Sequence, residues 1–309
     1  MLGGPSVATD ALRIPGRNPD SGPRRLLGEL YRRPRLQVAL LLAAPTGWFV
    51  VLYLGSLAFL LVTAFWFLDP TTSSIVHTFT LQNFVTLVTE PVYRTIAVRT
   101  VVIASVVTAA DMAIGFPIAY YMARVAGPRP RALLLMLVLL PLWSSYLVRV
   151  YAWRVILSPG GLLDWAFGSI GLAGLSPGFS DVSMGIVFSY LWLPYMILPI
   201  YAGLERIPSS YLEASADLGA RGWATFRRII LPLVLPALAA GSIFTFSLTL
   251  GDYITPKLVS NTQFIGNVIY DSQGVSNNIP FAAAFAVVPI GIMAVYLLVA
   301  RRLGAFDAL

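Results

Sequence analysis

The sequence predicts an all-α membrane protein with six transmembrane helices and both termini in the cytoplasm. This prediction rests on composition, on the length of the apolar runs and on the placement of the arginines. The chain has 309 residues, of which 57% are hydrophobic and 11% are charged, whereas soluble domains are about half apolar and about a quarter charged. The apolar residues form long runs rather than alternating with polar ones, and such runs indicate helices that cross a membrane.

Each of the six apolar runs is long enough to cross a hydrocarbon layer of about 30 Å at a rise of about 1.5 Å per residue. The first exceeds the roughly 7–15 apolar residues of a cleaved signal peptide, which predicts a retained span that is tilted or extended. The preceding residues 1–35 are rich in Gly, Pro and Arg and predict a disordered cytoplasmic tail, with residues 36–309 as the transmembrane domain. The predicted spans are residues 36–68, 95–123, 132–157, 182–204, 231–253 and 281–300.

The basic residues set the orientation of the spans. Sixteen of the 21 fall in cytoplasmic segments if the N-terminus is cytoplasmic: seven in the tail, three after the second span, four after the fourth and two after the sixth. Cytoplasmic loops are enriched in Lys and Arg, so both termini are predicted inside and the net charge of +7 does not indicate a nucleic-acid partner. The other five lie at outer ends or within spans: Arg94, Arg99, Arg149, Arg154 and Lys257.

Several classes of enzyme and metal protein are excluded by missing residue types. The chain has no cysteine, which excludes disulfides, thiol nucleophiles and cysteine–zinc sites. The single histidine, His77, excludes a multi-histidine metal site and a plausible Ser/His/Asp triad, and we expect it in a solvated loop. A phosphate-binding P-loop needs Gly-Lys-Ser/Thr, but the only lysine, Lys257, follows Pro256. We therefore expect neither ATP hydrolysis nor a bound metal or cofactor.

The cytoplasmic loop of residues 205–232, between the fourth and fifth spans, predicts two short helices. A proline and two serines at 208–210 can start the first helix, and Gly219 can end it with a positive φ. A second helix is expected to start near Trp223, with Pro232 at a turn into the fifth span. An ordinary interfacial linker is the alternative interpretation of this segment.

The spacing within this loop resembles the EAA loop of ABC importer permeases, EAA-x3-G-x9-I-x-LP. Only Ser215 departs from it, where the family usually has alanine. In that family the loop forms coupling helices that dock into a groove of the ATPase subunit, which implies a docking core of Glu213, Ala214 and Gly219. The matching residues are Glu213-Ala214-Ser215, Gly219 after three residues, Ile229 after nine more, and Leu231-Pro232 after one more.

Residues 150–157, 189–199 and 251–258 resemble the first permease subunit of spermidine/putrescine importers. They are similar, less specifically, to permeases for aminophosphonates or ferric iron. The resemblance implies a type I ABC importer fold in a bacterial inner membrane. The implied partners are a second permease, two ATPase subunits that bind ATP and Mg, an extracytoplasmic binding protein and membrane lipid. A self-contained secondary transporter and a membrane-bound scaffold or enzyme are the alternatives.

Ionisable residues inside a membrane are costly and are functional candidates by default. Asp111 lies in the middle of the second predicted span, and Asp252 lies at the outer end of the fifth. A polycationic substrate would need carboxylates and aromatic faces along its path. Packing bonds, a helix-end role for Asp252 and membrane-interface aromatics are the alternative interpretations. The candidate path residues are Asp252, Tyr253, Trp192, Tyr190, Tyr195 and Asp111.

The segment of residues 254–280, after the fifth span, is rich in amide side chains and poor in charge. We expect it to be an ordered polar loop on the extracytoplasmic side that helps to receive the binding protein.

Overall fold

The computed structural model describes residues 34–172 and 176–302. The predicted disordered tail lies outside the described residues except for its last two, where the first helix begins. The chain divides into two units after Phe59. Within the described residues, five helices are long and apolar enough to cross a membrane, and one bent pair brings the number to six. These first to sixth spans are Gln37–Thr63, Pro91–Val125, the pair Pro128–Trp143 and Tyr146–Ser169, Asp181–Glu205, Gly222–Gly251 and Ile279–Arg302.

The secondary structure of the described residues is helical apart from one short hairpin outside the first span. Its strands, Phe67–Leu68 and Ile75–Val76, pair antiparallel. The α-helices are Pro34–Trp48, Gly55–Thr63, Gln82–Thr89, Pro91–Tyr120, Pro128–Leu139, Tyr146–Leu157, Leu162–Ser169, Asp181–Glu205, Ser209–Asp217, Gly222–Thr225, Leu231–Gly251, Ile254–Val259, Ile265–Gly274 and Ile279–Arg302. Phe49–Leu54, Tyr121–Val125 and Phe226–Ile230 are π-helical, and Leu140–Trp143 is a 3₁₀ turn.

The predicted spans agree best with the structure where an apolar run is bounded by polar residues. The fourth span, Asp181–Glu205, was predicted as 182–204, and the sixth, Ile279–Arg302, as 281–300. The first span ends at Thr63 rather than at residue 68, because the chain turns into the hairpin there. The fifth span begins at residue 222 rather than 231, because the second helix of the cytoplasmic loop continues into it.

The third span was predicted as one helix over residues 132–157, and this prediction is wrong in detail. The chain bends by 95° between two helices of the pair. Pro141 has no N–H to donate, and it lies in a 3₁₀ turn that ends the first helix. Ser144 then adopts an extended conformation, and its hydroxyl donates to the Pro141 carbonyl at 2.8 Å. Serine side chains offer the backbone such local bonds in place of helical ones.

The fourth span packs between the second and the fifth at positions where small residues allow close approach. A Cβ on Gly115 of the second span would lie 3.2 Å from Cγ of Met196. A Cβ on Gly203 of the fourth span would lie 2.5 Å from that of Ala237 on the fifth. A Cβ on Gly241 would lie 2.8 Å from the Met196 sulfur. Small residues at such contacts are typical of membrane helices, which associate through tight packing.

The segment 254–280 is helical and partly buried, so its prediction as a polar loop is wrong. Its helices are Ile254–Val259 and Ile265–Gly274. Phe264 and Ile265 are fully buried, and the Ile265 N–H donates to the Thr100 hydroxyl of the second span at 3.2 Å. These apolar side chains outweigh the amides, because burying them against the spans stabilises a folded segment. Its extracytoplasmic position stays a prediction.

Arg124, at the inner end of the second span, holds the cytoplasmic end of the fourth. Its Nη2 donates to the carbonyl of Leu204 at 2.5 Å and to that of Ile207 at 2.7 Å. The last carbonyls of a helix have no partner within the helix, and an arginine can satisfy them. Beside this contact Arg131 forms an ion pair with Glu205 at 3.3 Å. These bonds fix where the cytoplasmic loop leaves the fourth span.

Replacing Gly241 by alanine is expected to destabilise the protein, because the new methyl group meets the Met196 backbone at 3.2 Å as well as its sulfur. Overpacking of this kind costs about 1–3 kcal/mol. Gly185→Ala on the fourth span is the matched control, since a Cβ there meets nothing within 4 Å. Thermal unfolding of the detergent-solubilised protein measures both. Equal melting temperatures for the two variants would contradict the close contact.

Replacing Arg124 by glutamine is expected to loosen the cytoplasmic loop, because two carbonyls lose a charge-assisted donor worth about 1.5–3 kcal/mol. Hydrogen exchange should then accelerate in the peptide that contains Ile207 and the helix Ser209–Asp217. Arg129→Gln is the control, because Arg129 is exposed and makes no side-chain bond within the described residues. Unchanged exchange in the Arg124 variant would mean that the loop is held in another way.

Candidate functional site

The cytoplasmic loop contains the predicted first helix, Ser209–Asp217. It starts after the extended residue Pro208 and is followed by Gly219 with φ of +71°. The Gly219 N–H donates to the Ala216 carbonyl at 2.9 Å, and the next N–H donates to the Ser215 carbonyl at 3.0 Å. This closure needs a left-handed residue, which glycine supplies at the least cost. The predicted helix and the predicted positive φ of Gly219 are both present.

The second helix of the loop is part of the fifth span, so the predicted turn at Pro232 is wrong. Gly222–Thr225 continues through the π-helical turn Phe226–Ile230 into Leu231–Gly251, as one helix of 30 residues. A proline cannot donate to the preceding turn, and the wider π turn before Pro232 accommodates the missing bond. The last three residues of the motif lie where the π-helical turn meets the α-helix of the fifth span. Ile229 and Leu231 are half-buried and Pro232 is exposed.

Ser215, the residue that departs from the family pattern, joins the two helices of the loop. It is 5% exposed, and its hydroxyl lies 2.8 Å from the hydroxyl of Thr225. This bond links the helix Ser209–Asp217 directly to the start of the fifth span. Sequence reasoning missed Thr225, because nothing in the spacing marks a hydroxyl ten residues away as a partner.

The cytoplasmic loop carries three large apolar side chains that are exposed. Leu218 is 87% exposed, Trp223 is 70% exposed and Tyr211 is 51% exposed. Glu213 and Ala214 are exposed on the same short helix. An exposed apolar patch with a carboxylate beside it is typical of a protein interaction site. The surface of Tyr211, Glu213, Ala214, Leu218 and Trp223 is called the loop face below.

At the other end of the fifth span, the Asp252 carboxylate is buried in a hydrogen-bond network. The residue is 8% exposed. Its Oδ1 accepts from the N–H groups of Ile254 at 2.8 Å and Thr255 at 3.1 Å, which caps the helix Ile254–Val259. Its Oδ2 accepts from the Thr255 hydroxyl at 3.0 Å and from the Tyr146 hydroxyl. The carboxylate therefore fixes the start of this helix and ties it to the third span.

Tyr146 contacts two of the predicted path residues directly and a third through Trp192. Its ring stacks on Trp192 of the fourth span at a centroid distance of 5.8 Å, and Trp192 meets Tyr195 edge-on at 6.0 Å. Trp192 and Asp252 thus both contact Tyr146, and Tyr195 joins the group through Trp192. Sequence reasoning missed Tyr146 because it is 106 residues from Asp252 and no local pattern marks it.

The other predicted aromatics lie in separate contacts. Tyr253 is 36% exposed and stacks on Tyr270 at 4.6 Å. Lys257 lies over the Tyr270 ring at 5.0 Å and pairs with Asp271 at 2.9 Å, and this bond raises the pKa of the lysine ammonium. Tyr190 meets Trp153 of the third span edge-on at 5.5 Å.

Asp111 is fully buried in the second span. Among residues 34–172 and 176–302, neither of its carboxylate oxygens has a partner at full hydrogen-bond geometry, and the Ser189 hydroxyl of the fourth span is a polar group that interacts with it. The same residues contain no group of three His, Cys, Asp or Glu side chains that could hold a metal ion.

Comparisons with solved structures agree with this helical architecture. A bacterial ABC transporter involved in the import of the acidic polysaccharide alginate matches 90% of this chain and 99% of its own, with a TM-score of 0.64 and 21% identity. A bacterial alginate ABC transporter in complex with an alginate pentasaccharide-bound periplasmic protein gives a TM-score of 0.65 at 20% identity, over 89% of this chain and 96% of that one. These matches establish the fold.

Sequence comparisons establish the family. Residues 115–306 match the family described as "Binding-protein-dependent transport system inner membrane component". The chain is 44% identical to the inner membrane ABC transporter permease protein YdcU of Escherichia coli K12, over 98% of this chain and 100% of that protein. It is 30% identical to the spermidine/putrescine permease PotB of the same organism, over 83% of this chain and 94% of PotB. The chain therefore belongs to the binding-protein-dependent inner membrane components and is a multi-pass permease subunit of an ABC importer that works with a substrate-binding protein.

Proposed function

We propose that the loop face docks on an ATPase subunit that supplies the energy for import. A second permease completes the translocation path, and two ATPase subunits bind ATP and Mg outside this chain. Support comes from the loop face itself, because Leu218 and Trp223 are exposed large apolar side chains in the same loop as the exposed charge of Glu213. Such a combination buries apolar area on docking and offers a charge-assisted bond to a cationic partner. The lack of a Gly-Lys-Ser/Thr sequence also favours a separate ATPase.

The cargo of the importer is, in this proposal, a polyamine such as spermidine or putrescine. The observation that carries it is the name shared by several relatives. Two proteins named spermidine/putrescine transport system permease protein PotB, from Haemophilus influenzae and Escherichia coli, are 31% and 30% identical over 72% and 83% of this chain. The name of the 44% identical relative states no substrate.

The path for this cargo includes Asp252, Tyr253, Trp192, Tyr190, Tyr195 and Asp111. Aromatic faces and a carboxylate attract ammonium groups, and weak shared contacts allow a cargo to leave again. In the conformation described, Asp252 is committed to Tyr146, Thr255 and two backbone N–H groups. Contact between Asp252 and an ammonium group therefore requires that Tyr146 or the Thr255 hydroxyl releases one carboxylate oxygen.

Replacing Gly219 by valine is expected to reduce both transport and co-purification of the ATPase. A Cβ at Gly219 meets nothing within 4 Å, so the obstacle is the φ of +71° rather than space. A β-branched residue in that conformation costs about 1–2 kcal/mol and shifts the loop face. Gly219→Asn should retain docking, since asparagine tolerates a positive φ. Equal ATPase yield from the valine and asparagine variants would argue against docking through this loop.

Replacing Asp252 by asparagine is expected to cut polyamine uptake about tenfold, the loss expected when a charge-assisted bond is removed. Proteoliposomes with the complete importer and its binding protein, supplied with labelled putrescine or spermidine, measure the uptake. Tyr146→Phe is the matched variant, because it frees a carboxylate oxygen while the charge remains. It should transport at nearly the normal rate.

Equal loss in the asparagine and phenylalanine variants would assign Asp252 a packing role between spans. Full uptake by the asparagine variant would remove Asp252 from the path. Uptake of an aminophosphonate or ferric iron in place of a polyamine would overturn the proposed cargo and leave the family assignment intact.

A further inference from the structure

The outer end of the second span carries a cavity that neither the loop face nor the proposed path includes. It has a volume of about 450 Å³, and its lining includes Thr95, Arg99, Asn261 and Gln263. Two of these residues come from the second span and two from the segment that precedes the helix Ile265–Gly274. This space is called the outer cavity below.

The polar side chains of the outer cavity are exposed, and only the Thr95 hydroxyl among them bonds to the described chain, donating to the Pro91 carbonyl at 2.9 Å. Within the described residues, the Arg99 guanidinium and the side-chain amides of Asn261 and Gln263 make no hydrogen bond or ion pair. No Asp or Glu lines the cavity. Arginine carries five donors in a planar fork and each amide carries two. A cavity with these donors and no acid is suited to an anion, and the fork of arginine fits the oxygens of a phosphate.

The depth of Arg99 along the span matches the level of lipid headgroups. The second span has 35 residues, which is about 52 Å of helix at about 1.5 Å per residue. A hydrocarbon layer of about 30 Å leaves about 11 Å beyond the layer at each end if the helix is centred. Arg99 lies eight residues after Pro91, about 12 Å along the helix. Its guanidinium is therefore near the boundary between hydrocarbon and headgroups.

An exposed apolar stripe continues from Arg99 towards the middle of the membrane. Val102 and Val106 follow it at three and seven residues, which places all three on one face of the helix. Val102 is 53% exposed and Val106 is 61% exposed. A phospholipid carries its phosphate above its acyl chains. A cationic group above an apolar stripe therefore complements both parts of the lipid.

We propose that the outer cavity binds the phosphate of a phospholipid in the outer leaflet of the inner membrane. Arg99 pairs with the phosphate, Asn261 and Gln263 donate to its oxygens, and an acyl chain lies along Val102 and Val106. A free phosphate ion offers the same oxygens but no acyl chain. A carboxylate of another subunit would satisfy Arg99 but would leave the valine stripe uncovered.

The test uses the complete importer in nanodiscs that contain phosphatidylglycerol with a photoreactive diazirine in the acyl chain. Irradiation should label the peptide that contains Val102 and Val106. Arg99→Gln should reduce this labelling about fivefold, the loss expected for one arginine at a membrane surface. Arg94→Gln is the matched control, because Arg94 is exposed at the same end of the same helix and does not line the outer cavity. The double variant Asn261→Ala, Gln263→Ala should also lower the labelling and serves if the Arg99 variant fails to assemble.

Three results would overturn the proposal. Labelling that is equal in the wild-type protein and in assembled Arg99 and amide variants would show that these side chains hold no lipid. Loss of labelling on addition of excess inorganic phosphate would assign the cavity to a soluble anion. Photocrosslinks from position 102 or 106 to another protein subunit in place of the lipid would assign this face to a subunit interface.

Discussion

Close packing of the fourth span between the second and the fifth holds the arrangement of both functional ends. Met196 lies against Gly115 on one side and Gly241 on the other, and Gly203 lies against Ala237 nearer the cytoplasm. Helices in a membrane gain little from hydrophobic association, so such contacts depend on small residues that admit a neighbour. Because the fourth span leads into the loop face and the fifth leads out of it, their packing fixes the base on which that face stands.

The polar bonds of the molecule lie mainly at the ends of the spans, where the backbone loses its helical partners. Arg124 satisfies carbonyls at the inner end of the fourth span, and Asp252 satisfies N–H groups just beyond the outer end of the fifth. In hydrocarbon every unpaired backbone group is costly, so these side chains stabilise the points where the chain leaves a span. Asp111 differs, since it is fully buried in the second span and its carboxylate interacts with the Ser189 hydroxyl of the fourth span.

The sequence was sufficient for the features that depend on local composition and spacing. Apolar runs between polar residues predicted the fourth and sixth spans to within two residues. The position of Gly219 at the end of a helix predicted its positive φ. What depends on tertiary contact was out of reach. Tyr146 with Asp252 and Ser215 with Thr225 are pairs joined by folding, and neither partner carries a local mark. The many amide side chains of residues 254–280 predicted a polar loop. The fewer apolar residues Phe264 and Ile265 become buried, and they determine the structure of the segment.

The uninterrupted fifth span has a mechanical consequence. From Gly222 to Gly251 it is one helix of 30 residues, whose inner end is part of the loop face and whose outer end adjoins Asp252. At about 1.5 Å per residue this rod is about 45 Å long, so a tilt of about 5° about its inner end displaces the outer end by about 4 Å. A predicted turn at Pro232 would have acted as a flexible joint and absorbed part of such a tilt. In a continuous helix such a tilt would instead reach the outer end in full, beside the point where one hydrogen bond joins Asp252 to Tyr146 of the third span.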